Sequence, residues 1–281
     1  MATVIRLLLV AVVFTIGILD RANADTSWIE VRNKNYSIFY QSGYERDASF
    51  AQHWLHQSER LMKRKYGVPP GGYHINLYLY PTATDKANVG SARLECCDED
   101  KDGIKTGTIY YLAPSAPAWK STTHTSSLGL PFDDNFHAKV ILSEYIPVGH
   151  WKVQDFRGDG WRYYSAPEWF VQGLQEFDAI FHTTKSNAVV TRRRLLAKSA
   201  AISSTIQCCS SGLNIPDVYN GGALFVAFLA DQFGESIHAD LLRSSAPTFW
   251  LALTSATREQ MPQLYEGFQR WLKRPHLNGR Y

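Results

Sequence analysis

The sequence lacks a strong charge of either sign: 29 lysines and arginines stand against 26 acidic residues, a formal net charge of +3. Such a balance gives neither nucleic acid nor an anionic membrane surface a reason to bind. Beyond the first two dozen residues there is no apolar run long enough to cross a bilayer. No internal repeat or low-complexity tract is present. There is no Gly-x-Ser-x-Gly elbow, no glycine-rich loop opening a helix to cradle phosphate, and no paired acidic motif of the glycosidase type. Serine-hydrolase, nucleotide-binding and glycoside-cleaving classes are therefore left without a supporting motif.

Residues 1–24 read as a secretory signal peptide. Arg6 supplies the positive start, Leu7 to Leu19 the apolar stretch, and Ala22-Asn23-Ala24 the small-x-small cleavage pattern. The expected mature chain begins near Asp25, exported to a periplasm or to the outside, with no integral membrane span. Losing Arg6, Arg21 and Asp20 leaves 27 basic residues against 25 acidic, a net charge of +2. Roughly 255 residues remain, enough for a sizeable core.

Cysteine is scarce and comes as two neighbouring pairs, Cys96-Cys97 and Cys208-Cys209. Export implies an oxidising compartment, so all four are disulfide candidates. Four cysteines allow three pairings. A bond between neighbours closes a strained ring, which favours two bridges tying the first pair to the second. A thiolate metal site would lack its usual two-residue spacing.

Short β-type runs occupy 28–31 and 36–40, around a turn at Asn33-Lys34-Asn35. Helical spacing of Phe50, Trp54, Leu55, Leu61 and Met62 predicts a helix over 46–66, closed by Gly67. Alternation puts Ile75, Leu77 and Leu79 on one face of a strand over 74–80, and a further strand is expected at 107–112. The polar stretch 82–106 between them reads as a loop.

From Asp134 the pattern turns helical, over 134–146, 167–182 with Ser165 as its cap, 187–202, 219–233, 249–256 and 258–273. Arg192-Arg193-Arg194 reads as a solvated helical face. Strands first and helices afterwards make an α+β fold, a small mixed sheet with one helix followed by a mainly helical part. The β-rich part ends near 120 and the helical part starts near 131.

Two segments carry the chemistry: Ser143-Glu144-Tyr145-Ile146-Pro147, and Pro167-Glu168-Trp169-Phe170-Val171-Gln172-Gly173-Leu174-Gln175-Glu176-Phe177. The second resembles the zinc helix of gluzincin peptidases, especially peptidase MA-like domains, which typically reads Pro-x-Trp-Leu-x-Glu-Gly-Leu-Ala-Glu-Tyr. The first stands where that family carries His-Glu-x-x-His. Lys65-Tyr66-Gly67, Leu77-Tyr78-Leu79-Tyr80-Pro81, Tyr219-Asn220-Gly221-Gly222, Phe233-Gly234 and Phe268-Gln269-Arg270-Trp271-Leu272 follow the family's order. The resemblance implies one zincin-like domain over 25–275.

It also implies a ruined metal site. Residues four apart on a helix bring two imidazoles to one zinc, and a carboxylate from the next helix completes the set. Here the ligand positions are Ser143, Pro147 and Gln172: a hydroxyl, no donor, and a neutral amide. Pro147 is moreover expected to end the first helix one residue early. Glu144 is then a remnant general base and Tyr219 a possible remnant of an oxyanion tyrosine. No zinc or other cofactor is expected.

The reading that follows is a non-catalytic gluzincin-like domain binding a peptide or protein partner, with strand 107–112 as the sheet edge that receives it. One alternative is a working metallopeptidase or other hydrolase with a rearranged zinc site, for instance His150, Glu144 and Glu176. Another is a structural subunit of a larger assembly. His137 lies two helical turns from Glu144, too far to share a metal. The remaining histidines read as surface or hydrogen-bonded residues.

Overall fold

A turn at Asn33 starts the sheet. Its side-chain oxygen accepts from the backbone N–H groups of Asn35 and Tyr36, at 2.8 and 2.9 Å, and so folds β1 (Ile29–Arg32) back on β2 (Tyr36–Tyr40). The computed structural model describes residues 27–68, 73–90, 92–99, 101, 104–120, 131–155, 160–181, 201–209 and 212–273. The expected leader, Arg192–Arg194 and nearly all of the helix expected over 187–202 lie outside these, though residues 201–205 are helical.

Three further strands complete the sheet: β3 (Tyr73–Tyr80), β4 (Ala92–Glu99) and β5 (Lys105–Leu112), in the order β1-β2-β3-β5-β4. β3 runs parallel to β2 and β5; β4 is antiparallel to β5. The alternation in β3 is realised fully, with Tyr73, Ile75, Leu77 and Leu79 buried. Helix α1 (Glu45–Leu61) covers that side with Ala48, Ala51 and Leu55. It loosens into a π-type turn, Met62–Tyr66, and Gly67 stops it at φ 62°, the left-handed geometry that glycine adopts without strain.

β4 corrects the reading of 82–106 as a loop, and with it the assignment of the sheet edge. β5 is interior, and β4 is the edge. An edge strand has one side in water, so Arg93, Glu95, Asp98 and Glu99 hid its pattern, as did a bulge between Glu95 and Asp98.

The helical part comprises α2 (Pro117–Lys120), α3 (Asp134–Asp155), α4 (Glu168–Phe181), α5 (Asn220–Phe233), α6 (Ile237–Leu242), α7 (Phe249–Thr257) and α8 (Met261–Leu272). The fold is α+β. Among the described residues no helix is long and apolar enough to cross a membrane. Ser165 does not cap α4; its hydroxyl closes a short 3₁₀ turn, Tyr163–Ser165, onto Arg162. Neither α6 nor a hairpin of β6 (Gln207–Cys209) and β7 (Gly212–Asn214) was expected.

α3 departs most from expectation, for it runs through Pro147 to Asp155. An interior proline costs a helix about 3 kcal/mol. Against that, Val148, Trp151 and Val153 are all buried after the point where the helix was expected to end, each worth about 2 kcal/mol. Packing outweighs the local preference. The proline ring lies on the cleft side, where the helix has room to distort.

The cysteines also correct expectation. Cys208 and Cys209 are placed sulfur to sulfur as a vicinal pair within β6. Their hairpin packs on α8, whereas Cys96 and Cys97 belong to β4 at the sheet edge.

Candidate functional site

Helices α3 and α4 diverge to leave a cleft of about 600 Å³. Ser143, Glu144 and Pro147 line it from α3, and Gln172 and Glu176 from α4. Tyr219, just before α5, and Leu94 of β4 complete the wall. Spacings of three and four residues explain the grouping, because they repeat one face of a helix. Ser143, Glu144, Pro147, Gln172 and Tyr219 therefore all line one cleft.

The opening is held by backbone contact. A Cβ on Gly173 would fall on the Gly222 backbone, and one on Gly222 would strike the Trp169 carbonyl. α4 and α5 therefore touch main chain to main chain, with Gln172 beside this point on one helix and Tyr219 one turn from it on the other. Asp217 fixes the start of α5 by accepting from the Asn220 N–H at 3.0 Å.

Glu144 is half-buried and makes no hydrogen bond or ion pair with any described residue, neither Gln172 nor Tyr219 included. Burial pushes its pKa up to about 7; the Glu176 charge adds to this and Lys139 opposes it. Lys139 itself is paired with Glu176 at 2.5 Å, linking α3 to α4 across the floor. Tyr219 is 49% exposed, and its hydroxyl is raised in pKa by burial and then by Glu176, Glu144 and Glu168. Ser143 donates to the Val140 carbonyl at 2.9 Å and so turns its hydroxyl back along its own helix.

The three ligand positions do not fit zinc. They offer a hydroxyl already committed to a carbonyl, a pyrrolidine ring, and an uncharged amide. Among the described residues no three histidines, cysteines or acids lie close enough to hold a metal ion.

The rearranged set of His150, Glu144 and Glu176 does not form either. His150 is fully buried behind the cleft, 3.0 Å from the Tyr163 hydroxyl through Nδ1 and 3.3 Å from Asp178 through Nε2. Asp178 also accepts from Lys65 at 2.5 Å and from the Tyr66 hydroxyl at 2.6 Å. Burial lowers the His150 pKa. A neutral ring with its proton on Nε2 donates to Asp178, while the single Tyr163 hydroxyl proton is shared between His150 Nδ1 and the Val171 carbonyl, 3.1 Å away. Gln175 donates to the Tyr163 oxygen at 3.4 Å and so joins this network to the cleft wall. His137 is likewise in the core, against the Tyr111 hydroxyl at 2.6 Å.

The sequence did not announce Glu168, Trp151 or the Asp178 network. Glu168 and Glu176 lie four residues to either side of Gln172, and that spacing alone places them on the cleft face. In comparison with known proteins, no family model matches the chain and no curated protein matches it in sequence.

Proposed function

We propose that this chain is an exported, non-catalytic relative of the gluzincin peptidases that binds an extended peptide in its cleft. The observation that carries the reading is the convergence itself. Ser143, Glu144, Pro147, Gln172 and Tyr219 were chosen from separate segments by motif alone, and all line one cleft. The ligand positions among them hold no imidazole, thiolate or carboxylate, while the cleft remains open beside a sheet edge that is unpaired among the described residues.

That edge supports the peptide part of the proposal. β4 pairs on one side only among the described residues, and Leu94 carries it to the cleft wall. An extended segment laid along β4 gains main-chain hydrogen bonds, and the cleft receives its alternate side chains. Glu144, titrating near neutrality, is able to donate a hydrogen bond to a peptide carbonyl while it holds its proton.

Amide exchange tests the reading. With a mixed digest of an unfolded protein added, β4 should gain protection while β1, the opposite edge, stays unchanged. Equal exchange of β4 with and without peptides would rule it out.

One observation favours a second reading, a metal-free hydrolase: Glu144 is unpartnered, poised near neutrality and shares the cleft with Tyr219. It predicts cleavage of that digest, insensitive to chelator and lost in Glu144→Gln.

A further inference from the structure

α3 has two working faces. Ser143, Glu144 and Pro147 look into the cleft, while Tyr145, Val148 and Lys152 look the other way, onto the end of α1. On that second side lies a separate cavity of about 230 Å³. The geometry points to this cavity as a binding site for a small organic carboxylate with an apolar body, anchored by the Lys152 ammonium.

Lys152 is the first reason. It is only 7% exposed, yet it forms no ion pair and no hydrogen bond with any described residue. Its nitrogen lies 5.2 Å from the centre of the Tyr73 ring. Lysines so covered are as a rule paired; here the ammonium is not wholly cut off from solvent, and it brings unfilled hydrogen-bond donors to the cavity wall. The carboxylate whose charge reaches it is Glu59. Glu59, however, is already engaged: Oε1 accepts from Asn35 at 2.6 Å and Tyr145 at 3.5 Å, and Oε2 lies 3.1 Å from His56.

Asn35 is the second. Its side-chain oxygen is buried without a partner, at the wall of the same cavity. Buried polar atoms are seldom left so, and each lost partner costs free energy. A ligand hydroxyl or amino group is what this oxygen lacks, just as a ligand carboxylate is what Lys152 lacks.

The rest of the wall sets the remaining chemistry. Met62 and Val148 are apolar, and the Met62 thioether packs directly on Gly149, where a Cβ would strike it. Arg60 and Lys63 stand exposed at the mouth, where positive charge draws anions inward. One buried positive charge suits a single carboxylate. A hydroxy- or amino-acid with an apolar side chain meets every feature.

Calorimetric titration of the full mature chain with 3-phenyllactate tests this, with the neutral amide 3-phenyllactamide as control. Saturable binding with Kd of about 1 mM or tighter is expected for the acid only. Lys152→Met should weaken it about tenfold or more, as loss of a charge-assisted hydrogen bond does. Arg60→Glu changes an exposed residue, leaves folding intact and should weaken binding about threefold, so the test survives if Lys152→Met fails to fold. No saturable heat, equal affinity for the amide, or affinity unmoved by both variants would overturn the proposal.

Discussion

Gly173 and Gly222 meet backbone to backbone where α4 crosses α5, each occupying the space that a side chain on the other would need. The contact sets the separation of two helices that share the largest pairing in the helical part and frame the cleft. Gly222→Ala should therefore destabilise the protein by about 3 kcal/mol through overpacking. Gly43, which is exposed, has open space around its Cβ position, but its φ of 93° makes it a poor control. Gly267→Ala is a better one, since a Cβ there meets only the Phe228 ring edge, at 3.2 Å. Urea unfolding of the two variants checks the contrast; equal, small losses would mean that the helices simply move apart.

The pattern of what was legible follows from where each signal lives. β3 was readable because one face is buried, so its alternation is complete from Tyr73 to Tyr80. β4 was not, because an edge strand needs only one packed side and spends the other on Arg93, Glu95 and Asp98. Pro147 misled for the opposite reason. Its local rule is sound, but burial on both sides of the proline is a tertiary property that no window of sequence displays. The cleft residues Ser143, Glu144, Pro147, Gln172 and Tyr219 were legible only through the resemblance to the gluzincin frame. The network around Asp178 was not: Lys65 and Asp178 are 113 residues apart, and no local pattern pairs them.

Glu144 gives stability a pH dependence of known sign. Its folded pKa of about 7 lies above the ordinary value of 4.5, so between those values the folded chain holds a proton that the unfolded chain has released. The stability it contributes as a neutral acid is complete below pH 4.5 and is lost as pH rises through 7. Glu144→Gln keeps the neutral form at every pH. It should match wild type at low pH and exceed it by up to roughly 3 kcal/mol above pH 7. His137 and His150, whose pKa values burial lowers, act in the reverse direction but equally in both proteins. Denaturant midpoints at several pH values decide it; a difference independent of pH would show that Glu144 titrates normally.

The buried pair of Lys65 and Asp178 makes a separate prediction about stability. Asp178→Asn leaves the Lys65 ammonium in the core without its counter-charge and weakens the bonds from Tyr66 and His150. A loss of about 4 kcal/mol is expected. Adding Lys65→Met removes the stranded charge, so the double variant should recover part of that loss. Thermal and denaturant unfolding of both singles and the double supply the cycle. If the double variant is as unstable as the sum of the singles, the pair is not a coupled unit.

The proposed kinship with zinc peptidases can be tested by rebuilding what the ligand positions lack. Ser143 and Pro147 are four residues apart, about 6 Å along the helix, and both face the cleft with Gln172 opposite. Histidines at the first two positions and glutamate at the third would place two imidazoles and one carboxylate around one point. Replacing Pro147 also restores the N–H that the Ser143 carbonyl lacks in the present helix. The triple variant Ser143→His, Pro147→His, Gln172→Glu should therefore hold on the order of one zinc per chain after dialysis, and lose it to a chelator. Wild type, treated alike, should carry far less than one equivalent. A folded triple variant, verified by circular dichroism, that takes up no zinc would mean the three positions do not converge. The proposed kinship would then fall, while the cleft and its Glu144 would stand on their own geometry.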